Sequence, residues 1–396
     1  MKEYQLSDLI EIKHGYAFDG EHIVTEDNGI VLVTPGNFKI GGGFQEDKCK
    51  FFNGEIPEEY VLSSGDYIVT MTDLSKTIDT LGYSAIVPNS KTRTYLHNQR
   101  IGLIKFISDE CDPDYIYYLM QTHKYQRAIA NTSTGATVHH TSPSKIRAYK
   151  FFAPNLEAQK RIARTLRFYD DLIENNQKQI KLLVEAAQRL YKEWFVDLRF
   201  PGYENTPITD GVPQGWKRER LVDIADVQYG FAFDGSLFNA DGNGMPIIRI
   251  RNIPDGITKD YTTEEADEQY IVKNGDIVVG MDGEFHINSW SGEDSYLVQR
   301  TCRIKPHNSD MNGYLLQAIY EPIKFFESTV VGATVAHLGK KHIDTITILT
   351  APDEMYKPFQ QYFNKRQLLL NQNQRLAEAR DRLLPKLMSG ELEVLK

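Results

Sequence analysis

From Leu156 to Trp194 the chain reads LEAQKRIARTLRFYDDLIENNQKQIKLLVEAAQRLYKEW. No glycine interrupts the stretch, and the one nearby proline, Pro154, stands just ahead of it, where a helix start tolerates one. Ile162, Leu166, Tyr169, Ile173, Asn176, Ile180, Leu183, Ala187, Leu190 and Trp194 follow at alternating spacings of four and three. This is an a/d heptad seam, the signature of a coiled coil. Such a helix would be about 57 Å long at 1.5 Å per residue. It lies near the midpoint of the chain, so it reads as a strut that needs a partner helix.

Working outward, the rest of the chain repeats itself. Leu6-Ser7-Asp8-Leu9-Ile10 through Gly15-Tyr16-Ala17-Phe18-Asp19-Gly20 returns as Leu221-Val222-Asp223-Ile224-Ala225 through Gly230-Phe231-Ala232-Phe233-Asp234-Gly235, 215 residues later. Gly65-Asp66 returns as Gly275-Asp276, Gln99-Arg100 as Gln299-Arg300, and Gly135-Ala136-Thr137-Val138 as Gly332-Ala333-Thr334-Val335, at offsets of 210, 200 and 197. Ordered matches with a shrinking offset mean one duplicated domain whose second copy has shorter loops. The duplication includes the helix: residues from about Phe359 to Leu387 read helical again, and Asn373 stands 197 residues after Asn176. An Asn at the same seam position of both helices costs stability but fixes register. Leu370, Leu376 and Leu383 continue the second seam, and Pro385 is expected to kink or end it. Ile173, Asn176, Ile180, Leu183 and Leu190 are therefore expected to pair with Leu370, Asn373, Leu376 and Leu383.

The expected organisation is residues 1–155 and 200–352 as the two copies, with 156–199 and 353–396 as the connecting helices. Each copy reads as mixed α/β with much irregular chain; 29–33 and 275–279 are strand-like, and 115–120 and 314–319 read as short helices. Arg199–Trp216, with three prolines and three glycines, is the return linker.

Composition is ordinary for a soluble globular protein, with 41% hydrophobic and 25% charged residues. No apolar run approaches 18 residues, which argues against a membrane span. Cys49, Cys111 and Cys302 are odd in number and widely spaced, which points to a reducing cytoplasm and to no zinc site. The net charge is −9, and residues 200–352 alone hold 13 basic and 22 acidic side chains. A chain so acidic should bind duplex DNA weakly by itself and need a more basic partner.

No GxxxxGK[ST] loop, GxGxxG, HExxH, GxSxG or CxxC is present, nor an Asn/Asp-Pro-Pro-aromatic tetrad that would hold a flipped adenine. His139-His140 are adjacent, so on a strand they would face opposite ways and make a poor metal pair. Glu11-Ile12-Lys13 resembles the end of a nuclease motif but lacks its upstream Asp. The chain therefore reads as no enzyme, with no metal and no cofactor of its own. Its polar clusters suit DNA instead. In the first copy these are Thr72, Lys76, Asn98, Gln99, Arg100, Thr134, Thr137, His139 and His140. In the second they are Asp282, His286, Asn288, Gln299, Arg300, Thr334, His337, Lys340 and Lys341. Amides match adenine edges, and guanidinium matches guanine or phosphate.

Taken in order, Gly65-Asp66, Gly135-Ala136-Thr137, Pro154 with Glu157-Ala158-Gln159, and Trp194-Phe195-Val196-Asp197 resemble the specificity subunit of Type I restriction–modification systems. Ala158 interrupts the usual Glu-Gln pair, and Pro352 is followed by Asp353-Glu354-Met355, a weaker helix start. The resemblance implies two pseudo-symmetric target-recognition domains separated by two long antiparallel helices forming a coiled coil. It also implies an asymmetric, bipartite double-stranded DNA site, two methyltransferase subunits and restriction subunits. S-adenosylmethionine and adenine-N6 chemistry would belong to the methyltransferase. Half-sites read from one face would lie roughly 34 Å apart. An autonomous two-domain DNA-binding regulator and a coiled-coil scaffold unrelated to DNA are the alternative readings.

Overall fold

A computed structural model describes residues 1–75, 77–135, 137–329 and 337–394. The chain forms two compact units, Met1–Asp171 with Leu376–Lys396, and Leu172–Arg375.

Within the first unit, an antiparallel four-stranded sheet runs in the order Ile10–His14, Ile101–Phe106, Tyr67–Thr70, Ser84–Ile86. A five-stranded sheet runs Ile23–Val24, Lys50–Phe52, Ile30–Val33, Thr94–His97, Val61–Leu62, and contains one parallel pair. The second unit builds the same two sheets in the same order. Its four-stranded sheet is Ala225–Tyr229, Thr301–Pro306, Ile277–Gly280, Ile287–Ser289. Its five-stranded sheet is Phe238–Asn239, Tyr261–Thr262, Met245–Ile248, Ser295–Leu297, Ile271–Val272, again with one parallel pair. In each unit an early strand pairs antiparallel with the last: Lys2–Gln5 with Lys150–Ala153, and Lys217–Arg220, which follows the small hairpin Ile208–Thr209 and Val212–Pro213, with Thr347–Thr350. The sequence repeat is thus a repeat of topology. Short helices Pro113–Leu119 and Asn312–Ala318 bury their tyrosines, Tyr115 and Tyr314, in the two cores.

The long amphipathic stretch forms one α-helix, Leu156–Tyr191, ended by the π-turn Lys192–Val196. Asn155 starts it, its Oδ1 accepting the Ala158 N–H at 2.9 Å. Gln159 is fully buried; its Oε1 accepts the Asp112 N–H at 3.0 Å and its Nε2 donates to the Pro154 carbonyl at 2.9 Å. The C-terminal helix, Lys357–Ser389, repeats this lock, with Gln360 Oε1 accepting the Gly313 N–H at 3.1 Å. The second helix start therefore keeps its glutamine, displaced by the extra 3-10 turn Asp353–Met355. The helix also continues past Pro385 to Ser389, so this proline does not end it; its ring is exposed.

The two helices run antiparallel. In the first unit, Ile162, Ala163 and Leu166 share the core with Leu384, Leu387 and Met388, and Arg380 Nη1 reaches Asp170 Oδ1 at 2.6 Å. In the second, Asn176 Nδ2 donates to Asn373 Oδ1 at 2.9 Å, and Trp194 lies edge-on to Phe359 at 6.0 Å between ring centroids. Phe195 packs among Trp216 and Tyr314 at 4.9 and 4.5 Å, a burial contributing about 2–3 kcal/mol. Ile173, Ile180, Leu183, Leu190, Leu370, Leu376 and Leu383 are half-buried. Leu190 packs on the second unit's core and Leu383 on the first unit's, and the fully buried leucine beside Leu370 is Leu369.

Candidate nucleic-acid interface

Each copy presents its Gln-Arg pair by a close backbone crossing. In the first unit, the Tyr16 N–H bonds the His97 carbonyl and the Gln99 N–H bonds the Tyr16 carbonyl, both at 2.9 Å. In the second, the Phe231 N–H bonds the Leu297 carbonyl at 2.8 Å and the Gln299 N–H bonds the Phe231 carbonyl at 2.7 Å. A Cβ on Gly15 would sit 2.2 Å from the Asn98 carbonyl oxygen, and one on Gly230 would sit 2.0 Å from that of Val298. Only glycine fits, which explains why this residue recurs. Beyond the crossing, Gln99, Arg100, Gln299 and Arg300 lie exposed on tight turns.

The same frame brings in two further elements. The Met71 N–H bonds the Arg100 carbonyl at 2.9 Å, and the Thr141 N–H bonds the Met71 carbonyl at 3.0 Å. Met281, Arg300 and Leu338 repeat this at 2.8 and 2.7 Å. Thr72 and Asp282 therefore occupy the same place in their units, as do His140 and His337.

In the first unit, Thr72 Oγ1 and His140 Nδ1 lie 3.1 Å apart. His140 pairs its backbone with Thr134, while His139 pairs with Asp73, so the two rings face opposite sides of the short strand. Gly135, at φ +109°, makes the turn; a Cβ there would lie 2.0 Å from the Val138 carbonyl oxygen. Thr134 and Thr137 are exposed. Lys76 lies outside the described residues. Asp73 gathers the backbone of residues 75, 80 and 81, a role that its place in the sequence does not by itself show. Its carboxylate, 1% exposed, accepts from the backbone N–H groups of Ser75, Thr80 and Leu81 and from the Thr80 hydroxyl at 2.6–3.0 Å. Burial alone would raise its pKa, but these hydrogen bonds outweigh it and hold the carboxyl below its usual range. The signal was the run of hydroxyl residues Ser75, Thr77 and Thr80 after an acid.

In the second unit, His337 Nδ1 lies 2.5 Å from Asp282 Oδ1, and Arg300 Nη1 lies 3.3 Å from Asp282 Oδ2. His286 is half-buried, 3.6 Å from Glu284. Lys340 stands 6.0 Å over the Tyr229 ring and 3.1 Å from Asp344, and Lys341 is exposed. Thr334 lies outside the described residues.

Three expected contact residues are engaged within the fold: Thr72 is 3% exposed, its hydroxyl turned to His140. Asn98 is 8% exposed, its Oδ1 accepting the Arg100 N–H at 3.0 Å, and its counterpart in the second copy is the apolar Val298. Asn288 donates to the Ile253 and Pro254 carbonyls at 2.9 Å and accepts from Arg366 at 2.7 Å, which saturates its amide. Asn98 positions Arg100, and Asn288 fastens the sheet to the C-terminal helix. Among the described residues no three His, Cys, Asp or Glu side chains converge as a metal-ligand set, and no helix is long and apolar enough to cross a membrane.

These features define a duplicated recognition protein, with one frame built twice and different side chains at its tips. The model of the Type I restriction modification DNA specificity domain matches residues 1–186 and 213–377, and the chain belongs to that family. It is a DNA sequence-specificity subunit of the Type I restriction–modification kind. It is 28% identical over 335 residues to the Type I restriction enzyme MjaIX specificity subunit of Methanocaldococcus jannaschii, covering 79% of this chain and 76% of that one. The EcoBI specificity subunit of Escherichia coli is 32% identical over 142 residues, covering 36% of this chain and 30% of that one. The fold is that of the Type-I restriction-modification S subunit from M. genitalium, with a TM-score of 0.56, 15% identity, and 98% and 96% of the two chains covered.

Proposed function

We propose that the chain reads an asymmetric, interrupted double-stranded DNA site, one half with each copy, and directs methyltransferase and restriction subunits to it. The observation that carries this reading is the recurrence of one backbone frame, which sets the buried Thr72 beside the exposed His140 in the first unit, and Asp282 beside the exposed His337 in the second. Equal frames with unequal side chains suit two different half-sites. The heptad-patterned helices act as the ruler between them. Methyl transfer to adenine N6 belongs to the two methyltransferase subunits with their S-adenosylmethionine; this chain supplies contacts and no chemistry. The net charge of −9 supports dependence on those partners for tight binding.

The test is an adenine-methylation map of the host genome with and without this gene. Loss of one interrupted, asymmetric motif on deletion is the expected result. An unchanged map in a host that expresses the methyltransferase would defeat the reading.

A further inference from the structure

Asp282 is bonded on both sides. The 2.5 Å contact from its Oδ1 to His337 Nδ1 requires a proton on that nitrogen, since a lone pair there would face the carboxylate. The same nitrogen then cannot accept from Arg300 Nη1, 3.3 Å away, so among the described residues Asp282 is the side chain that holds the Arg300 guanidinium. Arg300 is also fixed from its backbone, at φ +70° with its carbonyl bonded by the Met281 N–H at 2.8 Å. In the first copy the equivalent carboxylate is replaced by Thr72, and no ion pair involves Arg100 among the described residues.

We propose that Arg300 reads a guanine in the half-site of the second copy, and that Asp282 is its positioning residue. The step rests on the specificity reading given above. A carboxylate 3.3 Å from the guanidinium offsets the charge that would draw Arg300 to phosphate, while leaving its other N–H donors available. Those donors form the fork that matches guanine O6 and N7. Holding the side chain in advance lowers the ordering cost of that contact, so base selection sharpens. His337 supports the carboxylate from its far side. Thr72 leaves Arg100 with its full charge, which suits a phosphate contact in the first copy.

The test uses the full chain assembled with its methyltransferase and reads the methylated motif. Asp282→Thr, which copies the first unit, is expected to relax one base pair of one half-motif, with discrimination for guanine falling about 5- to 150-fold. The other half-motif should stay unchanged, which a general loss of structure would not allow. Arg300→Lys keeps the charge and removes the fork, and should relax the same base pair; it also serves if Asp282→Thr does not fold. Unchanged motifs and rates in both variants would overturn the proposal. A parent complex that yields no motif at all would instead sink the specificity reading beneath it.

Discussion

Asn176 and Asn373, one on each long helix, donate and accept across 2.9 Å, with Ile173 and Ile180 flanking the one and Leu370 and Leu376 the other along the seam. Each amide is the other's partner, so removing one leaves the second without its mate. Asn373→Leu should therefore cost about 1–2 kcal/mol, whereas Asn176→Leu with Asn373→Leu should recover most of that loss or exceed the parent in Tm. A thermal double-mutant cycle measures the coupling; additive single effects would show that the pair is not one unit.

Arg380 and Asp170 make the corresponding clasp in the first unit, and Tyr118 completes it with its hydroxyl 2.6 Å from Asp170 Oδ2. Both charged side chains are about three-quarters covered, at 25% and 21% exposure. Burial by itself would lower the Arg380 pKa, but the Asp170 charge more than offsets it and drives the net shift upward. Removing the cation strands a partly buried carboxylate. Arg380→Met should cost about 2–4 kcal/mol, and Arg380→Lys should not restore the parent, because an ammonium cannot hold Asp170 and Asp381 through one planar fork. Chemical denaturation of both variants checks the order.

How much of this was legible depended on periodicity. The 3.5-residue repeat exposed the long helix, and the shrinking offsets exposed the duplication, because both are patterns along the chain. Asn98 is buried at a backbone crossing and the half-buried Asn288 is engaged by a sheet-to-helix contact, both between residues far apart in sequence, so neither engagement shows along the chain. Asp73 was missed for the same reason: a carboxylate that collects four donors looks, in one dimension, like any acid in a polar loop. Gln360 escaped notice because one extra 3-10 turn moved it out of the register in which Gln159 was read.

Asp73 gives the first unit an acid-sensitive loop. Its folded pKa lies below that of the unfolded chain, so its contribution is present above about pH 4 and is lost as pH falls through the folded value. Asp73→Asn places an amide where only acceptors are wanted. The expected cost is about 2–4 kcal/mol at pH 7, with a flatter acid limb in a pH series of thermal melts. A parent-like acid limb in the variant would assign that limb to other carboxylates.

Cys302 and Cys111 are buried, and burial pushes their thiols up to about 12 and about 11, the pull from Gln159 on Cys111 being weaker. Cys49 is half-buried. Thiolate is the reactive form, so a thiol-specific reagent at pH 8 should modify Cys49 alone in the native chain and all three cysteines in denaturant. Mass mapping of the labelled peptides decides it, and native labelling of Cys302 would mean that the second core opens readily.

His97 is 1% exposed, with Nε2 lying 2.8 Å from the Ile101 carbonyl, and its place in the second unit is taken by Leu297. Burial lowers its pKa, outweighing the opposing bond to Ile101. A histidine kept neutral in the fold titrates more readily when unfolded. Stability from this site is therefore full above the unfolded value near pH 6.5 and declines as pH drops below it. His97→Leu copies the second unit's solution to the same packing problem. At pH 8 the variant should lie within about 1 kcal/mol of the parent, since an added apolar contact offsets one lost hydrogen bond. At pH 5.5 it should be the more stable of the two. Parallel denaturation at both pH values tests the sign, and a variant that loses the same stability as the parent between them would place the titration elsewhere.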